Sequence, residues 1–166
     1  MSYDVTIHRL GPVALLDLRG EAGAVASWVA SLGMTLPETP NTATRAGERE
    51  LYWLGPTHWM LRAPISAEDD LLETLTARDM PPDVSQVLVT DAYAFFEISG
   101  PHVAQVLAIA SPLDVHPSTF PPNGVTFTEA FGQKALVIKR DDGVELAVEH
   151  SFGDMTADYL ERVAGT

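Results

Sequence analysis

Val13-Ala14-Leu15-Leu16-Asp17-Leu18-Arg19-Gly20 is a nearly unbroken apolar run closed by glycine, and it reads as a strand that stops abruptly. Val25, Trp28, Val29 and Leu32 follow at i, i+3, i+4 and i+7, the spacing of one helix face. Further along, Ala94-Phe95-Phe96-Glu97-Ile98-Ser99-Gly100 is a second strand ending on glycine. After Pro101, suited to a helix's first turn, Val103, Val106, Leu107 and Ala110 repeat the helical spacing. Gly20 and Gly100 lie 80 residues apart, Asn41 and Asn123 82 apart, and Ser66 and Ser151 85 apart. The chain reads as one motif written twice.

The rest of each copy agrees. In the first, a turn-rich stretch from Leu36 to Gly47 is expected to be a flexible loop. Strands Glu50–Leu54 and His58–Ala63 then flank Gly55-Pro56-Thr57, and Ser66 with Asp69 reads as an acidic capping box. Leu71, Leu72 and Leu75 face the core from the helix it opens, which stops before Pro81-Pro82. In the second, Gln86–Thr90 reads as a strand joined to the Ala94 strand by a turn at Asp91-Ala92-Tyr93. A proline-rich connector from Ser111 to Gly124 follows, then strands Val125–Phe131, Lys134–Arg140 and Val144–Glu149. Ser151 with Asp154 repeats the capping box, and Phe152, Met155, Tyr159 and Val163 form the last helix face. The expectation is a single α+β domain over 1–166 made of two pseudo-repeats, about 12–80 and 86–164. Duplicated strand–helix–hairpin–helix units would pair into a mostly antiparallel sheet with packed helices, ferredoxin-like in character.

Composition narrows the function. Ten Lys and Arg against 23 Asp and Glu give a net charge of −13, which argues against a nucleic-acid binder held by counterion release. The same sign disfavours an anionic lipid surface, so neither nucleic acid nor membrane is expected as a partner. The chain has no cysteine, which removes disulfides, Cys-ligated zinc, iron–sulfur clusters and a thiolate nucleophile. The start, MSYDVTIHRL, lacks the basic and apolar regions of a signal peptide, and a cytoplasmic protein is expected.

Catalytic patterns are sparse. His8, His58, His102, His116 and His150 are scattered without an i, i+4 pair, and Asp114 with His116 lacks further metal ligands. Neither a glycine-rich phosphate loop nor a GxSxG elbow is present. Asp17, Asp91 and Glu97 lie in or beside apolar strands, where burial would raise a carboxyl pKa. Aromatic residues point instead to recognition. His58 and Trp59 sit beside the Gly-Pro corner, and Trp is enriched at interface hot spots. His116 and Phe120 sit in the stiff proline-rich connector, where an exposed apolar tip would lose little entropy on docking. His58, Trp59, His116 and Phe120 are therefore the candidate partner interface, and no catalytic, cofactor or metal residue is assigned.

A set of short motifs carries a family likeness. Leu18-Arg19-Gly20, Leu36-Pro37, Pro40-Asn41-Thr42, Trp53-Leu54-Gly55-Pro56 with Trp59, Ile98-Ser99-Gly100-Pro101, Pro112-Leu113-Asp114-Val115-His116-Pro117 and Phe120-Pro121-Pro122 occur in order. Together they resemble the gamma subunit of heterotetrameric sarcosine oxidase. The resemblance implies a fold related to the folate-binding domain of aminomethyltransferases. It also implies a non-catalytic subunit of a complex that oxidatively demethylates sarcosine to glycine. Hydrogen peroxide and a one-carbon unit are the other products. FAD, FMN, NAD, zinc and tetrahydrofolate would belong to larger flavin-containing partner subunits, and the isolated chain is expected to self-associate or be marginally soluble. The alternative is a stand-alone folate- or amine-binding relative of aminomethyltransferases, with Asp91 or Glu97 as the pocket carboxylate.

Overall fold

The computed structural model describes residues 2–75 and 79–165. These fall into two compact units, Pro12–Thr90 and Met1–Gly11 with Asp91–Thr166. Helices and antiparallel strands combine in both, as the α+β expectation requires, but each unit closes its own five-stranded sheet rather than sharing one.

In the unit of residues 12–90 the first strand is β2 (Val13–Gly20), since β1 (Thr6–Arg9) belongs to the other unit. It is followed by α1 (Ala22–Ala30), β3 (Ala43–Ala46), β4 (Arg49–Gly55), β5 (His58–Pro64), α2 (Glu68–Thr74) and β6 (Val84–Leu88). The strand order is β3-β4-β5-β2-β6, with every neighbouring pair antiparallel. Without β3 this is the order of a βαββαβ ferredoxin-like unit, in which both helices cross over one intervening strand. Alternation along β2 sends Leu16 and Leu18 toward α1, whose Val25, Trp28 and Val29 are buried with them as the helical spacing predicts. Glu21 caps α1, its Oε2 accepting from the Ala24 amide at 3.0 Å.

The other unit holds β1 (Thr6–Arg9), β7 (Tyr93–Ser99), α3 (Val103–Ala110), β8 (Val125–Ala130), β9 (Gln133–Arg140), β10 (Gly143–Glu149) and α4 (Gly153–Ala164). Its order is β1-β7-β10-β9-β8. Matching β7 to β2, β9 to β4, β10 to β5 and β8 to β3 superposes the two orders, and β1 then takes the place of β6. The second copy is thus circularly permuted: its last strand is made by the first residues of the chain. The close approach at the glycines repeats too. A Cβ on Gly20 would lie 2.6 Å from Asp83 O and 3.2 Å from Val84 Cα, and one on Gly100 2.8 Å from Asp4 O and 3.1 Å from Val5 Cα.

Three local expectations are corrected. The loop between Leu36 and Gly47 contains β3, tied to β4 over Ala43–Ala46. Ser66 and Ser151 do not cap helices. Each lies in a short 3₁₀ turn, Ile65–Ala67 or His150–Phe152, whose own carbonyl receives the first helical amide, Glu68 N on Ile65 O and Gly153 N on His150 O. With that donor satisfied there is nothing for a serine hydroxyl to cap, and Ser151 Oγ donates to Glu149 Oε1 instead. The strand expected over Gln86–Thr90 runs from Val84 to Leu88. Residues 76–78, toward which the helix before Pro81 was expected to run, lie outside the described residues.

Thr156 on α4 is fully buried, and its Oγ1 has no hydrogen-bond partner among the described residues. A buried hydroxyl without a partner retains its desolvation cost. Thr156→Val keeps the shape and removes that cost. It should stabilise the chain by about 1 kcal/mol, seen as a higher urea midpoint at unchanged slope.

Candidate functional site

On β2 and β5, register sets Arg19 opposite His58, and alternation places Asp17 on the same face as Arg19. His58 Nε2 lies 2.6 Å from Asp17 Oδ2, and Arg19 Nε donates to Asp17 Oδ1 at 2.8 Å. Partial burial opposes ionisation of Asp17, but the hydrogen bonds from His58 and Arg19 outweigh it and hold the carboxyl below its ordinary range. The His58–Asp17 contact has the geometry by which a carboxylate orients an imidazole. Among the described residues no hydroxyl is hydrogen-bonded to the His58 ring.

The lowered pKa has a sign in stability. A carboxyl ionising more readily in the folded state stabilises above its unfolded value, about 3.9, and that contribution is lost as pH falls through the folded value. Asp17→Asn should therefore flatten the loss of stability as pH falls below about 5, as followed by urea unfolding at each pH.

Next to His58 on β5, Trp59 pairs across the hairpin with Trp53 on β4. Both line an open cleft of about 390 Å³ with Pro37, Glu38, Pro56 and the start of α1. Trp59 is only 2% exposed, and its Nε1 donates to Pro37 O at 3.3 Å. It is a wall of the cleft and a core residue rather than an exposed knob, because alternation turns it to the side of Leu18 and Leu61.

His116 and Phe120 belong to the other unit. His116 is exposed, and its carbonyl accepts from the Thr119 and Phe120 amides at 2.9 Å each. That turn rolls the Phe120 ring inward, where it is 5% exposed within the core; the apolar tip expected at the surface is therefore not found. The Asp114–His116 pair is a local turn, with Asp114 Oδ1 accepting the His116 amide at 2.9 Å. The same bond holds the Asp114 carboxyl below its ordinary range. His116 Nδ1 contacts Ser118 Oγ at 2.7 Å.

Asp91 and Glu97 are both exposed. Glu97 projects from β7 opposite His8 on β1 and Glu145 on β10, on the face that Phe96 and Ile98 avoid. Neither carboxylate lines the Trp cleft, a cleft of about 380 Å³ beside Arg9, Phe96 and Glu161, or one of about 410 Å³ beside Tyr93, Lys134 and Glu149. Glu97 is exposed although Phe95 and Glu145 on the same face of the sheet are buried, and Asp91 lies in the short 3₁₀ turn Thr90–Ala92. Among the described residues no group of three or more His, Asp and Glu is placed to hold a metal ion, and no helix is long and apolar enough to cross a membrane. The Asp17–Arg19–His58 cluster and the Pro37–Glu38 wall of the cleft were not singled out as a site from sequence. The strand period marks Asp17 and Arg19 as sharing a face, but only register brings His58 to them.

Comparison with known proteins bears on the whole chain. A family model described as sarcosine oxidase, gamma subunit family, matches residues 19–165. No curated protein sequence matches. Among solved structures, heterotetrameric sarcosine oxidase from Corynebacterium sp. U-96, in complex with pyrrole 2-carboxylate, is similar in fold. The TM-score is 0.83 at 23% identity, over 97% of this chain and 84% of that one. The glycine cleavage system aminomethyltransferase T from Bartonella henselae also shares the fold, with a TM-score of 0.72 at 15% identity, covering 96% of this chain and 46% of the larger one.

Proposed function

Because the chain belongs to the sarcosine oxidase, gamma subunit family, we propose that it is a non-catalytic subunit of a complex that oxidatively demethylates sarcosine to glycine. The family match over residues 19–165 carries this reading. On this reading FAD, FMN, NAD, zinc and tetrahydrofolate reside in larger partner subunits. There they supply oxidation of the methylamine, transfer of electrons to oxygen and capture of the one-carbon unit. The present chain contributes surface. Exposure leaves His116 on one unit and the accessible part of His58 on the other for partner contact, while Trp59 and Phe120 are buried in the core of their own units.

The test is affinity purification of the tagged full chain from its native cell, with intact-mass analysis and a visible spectrum of the eluate. Stoichiometric larger chains with flavin absorption are expected. A colourless eluate holding this chain alone overturns the reading.

A further inference from the structure

We propose that β6 is an assembly edge, on which an extended segment of a larger subunit pairs as an added strand. The segment should be apolar at alternate positions and flanked by Lys or Arg. This rests on the subunit reading above and names the surface that reading needs.

Among the described residues, two sheets present four edge strands, β1, β8, β3 and β6. Edges are ordinarily blunted by charge, because an open row of amides and carbonyls invites another strand. Arg9 stands on β1, Arg45 on β3 and Glu129 on β8. Only β6, Val84-Ser85-Gln86-Val87-Leu88, has no charged residue. It also exposes two large apolar side chains, Val87 at 55% and Leu88 at 43%.

The backbone is available as well. Val89 N donates to Leu15 O at 2.9 Å, which fixes the hydrogen-bonding phase of the β2–β6 ladder. In an antiparallel pair such bonds fall on every second residue. Ser85 and Val87 therefore bond toward β2, while the main chains of Gln86 and Leu88 point away from it. The Val84 amide is taken by Pro81 O at 3.0 Å. Gln86 and Leu88 each offer one amide and one carbonyl to a new strand.

Charge identifies the occupant. Between residues 65 and 91 stand seven acidic side chains, Glu68, Asp69, Asp70, Glu73, Asp79, Asp83 and Asp91, and one basic, Arg78. Asp83 directly precedes the strand, Asp91 follows close behind it, and both are exposed. A second copy pairing antiparallel would set Asp83 of one chain near Asp91 of the other, with −13 on each. Like charges so placed oppose association. A strand ending in Lys or Arg meets complementary charge at both ends.

The experiment uses the tagged full chain co-expressed with its flavin-bearing subunits. Val87→Lys puts a blocking charge on the edge, and Leu88→Pro removes an outward amide while leaving the β2 ladder intact. Ile109→Lys, at an apolar residue equally exposed at 55% on α3, is the control. The edge variants should retain about tenfold less flavoprotein than wild type or the control. In the wild-type complex, amide exchange at Gln86 and Leu88 should slow at least about tenfold relative to the isolated chain. That measurement decides the matter even where a variant fails to fold. Edge variants assembling like wild type, with exchange at both amides unchanged, overturn the proposal and leave the subunit reading standing. A wild-type chain that captures no flavoprotein overturns both. A homodimer of the isolated chain that Val87→Lys dissociates assigns the edge to a second copy and overturns the proposal.

Discussion

Gly100→Ala is expected to destabilise the chain by about 3 kcal/mol, and Gly20→Ala by a similar amount, because each carries backbone strain and a main-chain clash together. Gly100 has φ 117° and Gly20 φ 156°, in the region that side chains adopt only at a cost. The space is closed as well: the new Cβ would meet Asp4 O at 2.8 Å or Asp83 O at 2.6 Å. Main chain cannot step aside like the end of a flexible side chain. Relief would come only by moving the segment that leads into β1 or β6, the strand completing each sheet. About 3 kcal/mol lowers the melting temperature of a chain of this size by roughly 10 °C, and calorimetry reads it directly. An unchanged melting temperature for both variants would mean that the segments leading into β1 and β6 are not held against these glycines.

The same two glycines were the clearest landmark of the repeat in the sequence, and the structure explains their spacing. Each ends the first strand of its unit where the last strand comes in. What spacing alone does not reveal is that the second unit takes its last strand from the beginning of the chain. Thr6-Ile7-His8-Arg9 is short and mostly exposed, and of the alternating Tyr3, Val5 and Ile7 that pack on the core only Ile7 falls within the strand. The link shows only in tertiary pairing, Thr6 opposite Ser99 and Arg9 opposite Phe96. β3 was hidden for a related reason, since Ala43-Thr44-Arg45-Ala46 has one buried residue, and its strand character comes from pairing with β4.

Site residues were less legible than elements because burial inside a hairpin or loop depends on register. His58 and Trp59 are adjacent in sequence and so project to opposite faces of β5; one reaches Asp17 and the other the core. No periodic signal chooses between the two assignments until the pairing with β2 is known. Phe120 offers less still. In a connector interrupted by prolines there is no period to read, and its inward turn follows from two amides converging on the His116 carbonyl. Of the four candidate interface residues, Trp59 and Phe120 are buried, His58 is half-buried and His116 is exposed. The features that bear on assembly, an uncharged edge strand with acidic flanks, appear when the four edges are compared.

Trp59→Ala should destabilise the isolated chain by about 4 kcal/mol, the cost of deleting a buried indole and leaving a cavity. Trp59 pairs with Leu18 on β2 and Trp53 on β4, is 2% exposed, and ties Pro37 to the sheet through its Nε1. Removing it opens the wall between the core and the cleft of about 390 Å³, so water can follow the lost ring. Trp59→Phe keeps most of the apolar contact and loses the bond to Pro37 O, a cost of about 1 kcal/mol. The graded pair separates two roles for this residue. A core tryptophan moves the urea midpoint of the isolated chain in proportion, and flavoprotein capture falls only as far as folding does. A docking tryptophan would leave the midpoint of Trp59→Ala at the wild-type value while abolishing capture. That second pattern would mean that the indole leaves the core on assembly.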